Sequence, residues 1–169
     1  LGGSLVPSDS VRAQGLLWSL PEDGTWVRFE GTYEQTEVRP DATAGNLVIR
    51  WIRHVTLKSV GKEDAEFGGA TVPCRWIEIK VVTGTASEQG IDPGPVGARI
   101  VKALIPESRI TGKVAYGDEI PVSFLPIVKG YRKVGDGAVK AIDSNVLNIY
   151  PLISPMMYYR TLEEAEGEA

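Results

Sequence analysis

Hydrophobic and polar residues alternate with a period of two over much of this chain, and that period marks a half-buried strand rather than a helix. From Trp26 to Glu37, Val27, Phe29 and Tyr33 alternate with Arg28, Glu30, Thr32 and Glu34, after Glu22-Asp23-Gly24, which is turn chemistry. The cleanest run spans Leu47 to Ser59. One face carries Leu47, Ile49, Trp51, Arg53, Val55 and Leu57, the other Val48, Arg50, Ile52, His54, Thr56 and Lys58, and the first reads as the core face. A third strand, Val72 to Thr83, sets Ile77, Ile79 and Val81 opposite Trp76, Glu78 and Lys80.

Between these runs the polar stretch Gly61 to Gly69 reads as a long exposed hairpin connection, and Gly84 to Gly97 as a loop with no regular element. Residues 98 to 105 fit either period. The neighbouring strands and the stop at Pro106 favour a strand. Lys113 to Tyr116, Ile120 to Val128, Gly130 to Val134, Ala138 to Ile142, Asn145 to Tyr150 and Met156 to Tyr159 give further short strands, with a tight turn at Gly135-Asp136-Gly137. Helical signals are few: Gly15 to Leu20 halted by Pro21, and Thr161 with Glu164 at capping-box spacing, opening a short acidic helix. An α/β fold needs helical crossovers that are missing. The pattern therefore predicts an all-β protein: a single curved antiparallel sheet or half-open barrel of about nine short strands, with one or two short helices. Residues 15–160 form the β domain, 1–14 a flexible N-terminus or export-signal remnant, and 161–169 an acidic tail.

With 169 residues the chain is sized for one domain, and 43% hydrophobic residues suffice for a core without staples. A net charge of -4 and a pI near 5.1 withhold the positive field that general nucleic-acid binding needs. No apolar run reaches the roughly 18 residues of a membrane-spanning helix, so no integral membrane segment is expected. The single cysteine, Cys74, cannot form an internal disulfide and reads as a buried small hydrophobe. Val11-Arg12-Ala13 has the small-residue spacing of a signal-peptidase site, from which an exported, periplasmic or secreted protein is expected.

Most familiar chemistry is missing. One histidine, His54, rules out a metal site built on several imidazoles, and no metal or cofactor is expected. Nucleophile elbows, phosphate-binding glycine loops and dinucleotide fingerprints do not occur. Cys74 with His54 is a nucleophile and base only in the formal sense, Glu78 reads as a cross-strand ion-pair partner, and Asp23, Asp118 and Asp136 as turn formers.

Two features stand out. Arg53 falls among the apolar side chains of its face, where a guanidinium must find an acceptor, whether a carboxylate, a ligand in a cavity or water at a sheet edge. Basic and aromatic residues also alternate in Arg50-Trp51-Ile52-Arg53-His54 and in Lys129-Gly130-Tyr131-Arg132-Lys133. Side by side, those strands would make a stacking surface for single-stranded nucleic acid, but the acidic total argues against it and they read as ordinary amphipathic strands, so no nucleic-acid partner is expected.

The export-like start followed by the strands Trp26 to Glu37, Leu47 to Ser59 and Val72 to Thr83 resembles the lipoprotein-carrier (LolA and LolB-like) half-barrel superfamily in architecture. That resemblance implies a bent sheet shielding lipid chains, with Arg53 in the place of an arginine that takes part in controlling the cavity; the helices that cover such cavities have little counterpart here. The first expectation is a non-enzymatic exported β protein binding an apolar or lipid-like ligand, lined by Arg53, Trp51, Ile49, Val55, Ile77, Ile79 and Val81. A cell-envelope interaction module for a protein partner is the alternative, and a hydrolase with a carboxylate site a third.

Overall fold

The computed structural model describes residues 23–88, 90–109, 124–153 and 158–166. Among them are ten strands and a one-turn helix: β1 (Thr25–Glu37), β2 (Leu47–Phe67), β3 (Ala70–Ser87), β4 (Gly90–Asp92), β5 (Arg99–Pro106), β6 (Phe124–Pro126), β7 (Lys129–Val134), β8 (Lys140–Ala141), β9 (Val146–Asn148), α1 (Tyr150–Ile153) and β10 (Tyr158–Glu166). All pairings are antiparallel. The main sheet runs β10-β1-β2-β3-β5-β7-β8 with β4 attached to β3, while β6 and β9 form a separate pair. The sheet stays open, with β10 at one edge and β8 at the other. The expected all-β class with a curved antiparallel sheet is the observed one.

Register explains the core. Val27 and Phe29 stand opposite Leu57 and Val55, which stand opposite Ile79 and Val81, and Ile79 stands opposite Val101. This inner face is closed by Leu125 and Ile127, by Leu147 and Ile149, and by Leu152 of α1, all buried. Such a layer removes about 25 cal/mol of unfavourable hydration per Å² of apolar surface covered.

A bulge then reverses the alternation of β2. Ser59 pairs with Ile77 but Lys62 with Arg75, so Val60 and Gly61 together oppose Trp76. Asp23 fastens the bulge: its Oδ1 accepts from Ser59 Oγ at 2.9 Å and from the Gly61 amide at 3.1 Å. This satisfies the hydroxyl of Ser59, only 1% exposed. Beyond the bulge the odd-numbered residues turn outward, and Glu63 joins the face that carries Trp76.

Several expectations are corrected. Gly61 to Gly69 is not a long connection, because β2 continues to Phe67 and turns through Gly68 and Gly69 alone, both at positive φ (62° and 82°). Two such residues fit the tightest hairpin turn, and charged side chains are tolerated where the ribbon runs past the core. The loop from Gly84 to Gly97 does hold a regular element, since β4 pairs with Thr85 to Ser87. Thr161 and Glu164 open no helix: they lie in β10, opposite Phe29 and Val27, where pairing along β1 outweighs a helix too short to nucleate alone. The stretch at 98–105 is a strand, as the strand reading has it, and forms β5 from Arg99 through Pro106. Asn145 to Tyr150 is a three-residue strand ending in α1. The elements expected at 15–20 and 113–116, residues 1–14 and Asp118 lie outside the described residues.

Candidate functional site

Arg53 sits on the inner face, as its place in the alternation requires, opposite Thr83 of β3. Its Nε donates to Thr83 Oγ1 at 2.7 Å and its Nη1 to the Leu152 carbonyl at 3.0 Å. The guanidinium thus ties α1 to the main sheet across 99 positions of sequence. Of its five N–H donors, those on Nη2 meet no acceptor among the described residues.

Beside it opens a pocket of about 410 Å³, lined by Trp51, Arg53, Val81, Thr83, Asp92, Arg99 and Pro151 among others. Trp51 is 51% exposed and packs on Tyr33, ring centroids 6.0 Å apart. Gly84 permits the wall formed by β4, since a Cβ there would collide with the Asp92 carbonyl. Asp92 is the one carboxylate among the described lining residues, and its Oδ1 accepts from the Gly94 amide at 2.9 Å. A second pocket of about 390 Å³ adjoins the first, sharing Arg99 and Pro151. It is walled by Val101, Ile142, Leu147 and Leu152, with Arg132 at its side.

The seven residues expected to line a ligand site therefore separate. Trp51, Arg53 and Val81 meet at the first pocket. Val55, Ile77 and Ile79 are packed in the core at 0–3% exposure. Ile49 is half-buried on the β1–β2 ribbon, opposite Gln35. Sequence reasoning missed Arg99, Arg132, Asp92 and Pro151. The sequence carried a signal for one of them: Arg99 precedes Val101 on the inner face of β5 as Arg53 precedes Val55 on β2, whereas Arg132 comes opposite Val101 only through the pairing of β5 with β7.

A second concentration of chemistry lies on the outer face. Trp76 Nε1 donates to Glu63 Oε2 at 3.0 Å, and Lys129 Nζ to Glu63 Oε1 at 2.8 Å. The ammonium groups of Lys102 and Lys129 each stand 5.3 Å from the Trp76 ring centroid, and Tyr131 stacks on it at 6.2 Å. Lys129 reaches from β7 across Leu104 of β5, which is fully buried between it and Trp76 in register. The hydrogen bonds from Lys129 and then Trp76 hold the Glu63 carboxyl below its ordinary range, and the bond to Glu63 holds the Lys129 ammonium above its own.

The other candidates are dispersed. His54 Nε2 lies 3.2 Å from Glu30 on the outer face, eight positions of β3 away from Cys74 when read through its partner Val82, so no nucleophile–base pair forms. Burial raises the pKa of the Cys74 thiol, which is inaccessible to solvent. Glu78 stands in register between Lys58 and Lys102. The two basic-aromatic segments lie on β2 and β7 with β3 and β5 between them, so they do not join into one stacking surface. Among the described residues no group of three or more His, Cys, Asp or Glu could hold a metal, and no helix is long and apolar enough to cross a membrane. No family model, curated protein or solved structure matches this chain.

Proposed function

We propose that this is a non-enzymatic binding protein whose first pocket takes an amphiphilic ligand, with an acidic group against Arg53 and Arg99 and an apolar body against Trp51 and Val81. The carrying observation is Arg53 itself, held by Thr83 and Leu152 with its Nη2 donors free among the described residues, on the wall of a 410 Å³ pocket. Guanidinium groups favour carboxylate and phosphate oxygens, and the neighbouring apolar pocket offers room for a tail. This is the exported lipid-carrier reading, relocated from the filled centre of the sheet to one end of its inner face. The described lining of the first pocket holds a single carboxylate, Asp92, and so offers no carboxylate pair to support the hydrolase alternative.

Native mass spectrometry of protein purified without detergent, with organic extraction of bound material, tests the reading. A lipid-sized adduct is expected, with fatty-acid affinity reduced about tenfold in Trp51→Ala, the loss of one aromatic contact with the ligand. A clean apo mass with no thermal shift on adding fatty acids or phospholipids would overturn it. The partner-docking reading rests on the exposed apolar residues of the β1–β2 ribbon, Leu47, Val48 and Trp51. Unchanged ligand binding in Trp51→Ala, together with lost association with a cell-envelope protein, would favour it.

A further inference from the structure

The outer face of the sheet gathers positive charge that the chain as a whole lacks. Three adjacent cross-strand rows can be read from the register: Lys58, Glu78, Lys102 and Tyr131; then Lys80, Ile100 and Lys133; then Trp76, Leu104 and Lys129. Five of the eight lysines in the sequence fall in these rows. Against them stand Glu78 and, beyond the bulge, Glu63, leaving a net of +3 on a chain whose total is -4. Strand spacing and rise make this patch roughly 14 Å on a side. It is broad rather than a groove, and Lys80, Lys129 and Tyr131 are exposed on it.

We infer that this face docks the protein on an anionic bilayer surface. Charge complementarity identifies the occupant as anionic, and the side chains narrow its class. Lys102 and Lys129 already stand over the Trp76 ring and Glu63 holds its Nε1, so the ring is not open to stack a nucleic-acid base. Lysines act as point charges on long apolar stems, unlike the planar forks that read base edges. Tryptophan and tyrosine rings set among lysine stems suit the boundary between headgroups and acyl chains. The first pocket, with Arg53 and Trp51, shares no residue with these rows, so docking leaves it open to solution, while the second counts Ile100 and Lys133 in its lining; the inference rests on the charge of the face and not on a ligand in either pocket.

Sedimentation with phosphatidylcholine vesicles, with and without phosphatidylglycerol, tests the surface. Binding is expected only to the anionic vesicles, and raised salt should abolish it. Lys80→Glu with Lys133→Glu should weaken it by about 25-fold or more, at about fivefold per lysine. Lys140→Glu, on the other face at the sheet edge, should change it less than about twofold, which separates the patch from net charge. Circular dichroism verifies that the variants are folded. Equal binding to neutral vesicles, no binding at low ionic strength, or capture of an oligothymidylate with no vesicle binding would each overturn the inference.

Discussion

The two halves of β2 carry the same alternation and meet opposite fates. Val55 and Leu57 are 0% and 5% exposed, whereas Leu47 and Trp51, on the same side of the same strand, are 39% and 51% exposed. Neighbours make the difference. Leu57 is flanked by Val27 and Ile79 and covered by the β6, β9 and α1 layer. Among the described residues Leu47 has only Glu37 at the end of β1 paired beside it, because the pairing of β3 with β2 ends at Ile52 and Gly84. Period two dictates which way a side chain points; whether anything lies above it is decided by distant segments.

The widest gap is expected in stability. Leu57→Ala removes packed methyl groups from a filled core and should cost about 2–5 kcal/mol, whereas Leu47→Ala should stay within about 0.5 kcal/mol. Urea unfolding of both variants measures the contrast. Similar costs would break it and require the ribbon to be covered in solution.

The boundary between the halves can be moved next. Gly84 is where β3 leaves β2 and meets β4, and its missing side chain lets the Asp92 carbonyl approach. Gly84→Ala should push β4 off, costing about 1–3 kcal/mol as an overpacked site. Faster amide exchange from Gly90 to Asp92 and weaker ligand binding at the pocket should accompany it. A fully protected β4 in this variant would show that the pocket wall does not depend on that close approach.

How much could be read in advance follows the same division. The inner face was legible from β1 to β3 because Val27, Phe29, Val55, Leu57, Ile77, Ile79 and Val81 are local period-two signals. Arg53 was legible as a charge on an apolar face. Its acceptors were not, since Leu152 lies 99 residues away and only the fold brings it near. The bulge at Val60 and Gly61 was also invisible, because Asp23 fastens it from the turn before β1, and with it went the outward turn of Glu63. Strands were mistaken for loops where they run beyond the core, as at Lys62 to Glu66, for there charged side chains carry no penalty and composition resembles a turn.

That far end of β2 supports the smallest and most specific expectation. Glu63 is exposed, so its bonds to Lys129 and Trp76 act in screened surroundings and add little that denaturant titration would resolve. They should still show in pH. The Glu63 carboxyl is held below its ordinary value, so its contribution is complete above about pH 4.3 and is lost as pH falls through the lowered value. Lys129 is held above its ordinary value, so its side of the pair is complete below about pH 10.4 and fails only as pH rises through the raised value. Between those limits the Trp76 indole keeps a charged acceptor. Its emission, isolated by subtracting the Trp76→Phe variant, should be flat across that window and shift on the acid side, where a protonated Glu63 no longer accepts as an anion. In Glu63→Gln the acid shift should vanish, and in the parent protein added salt should move its midpoint back toward the ordinary carboxylate value. An acid shift that survives in Glu63→Gln would trace the transition to the fold as a whole, and the ribbon beyond the bulge would then be no more independent of the core than Leu57 is.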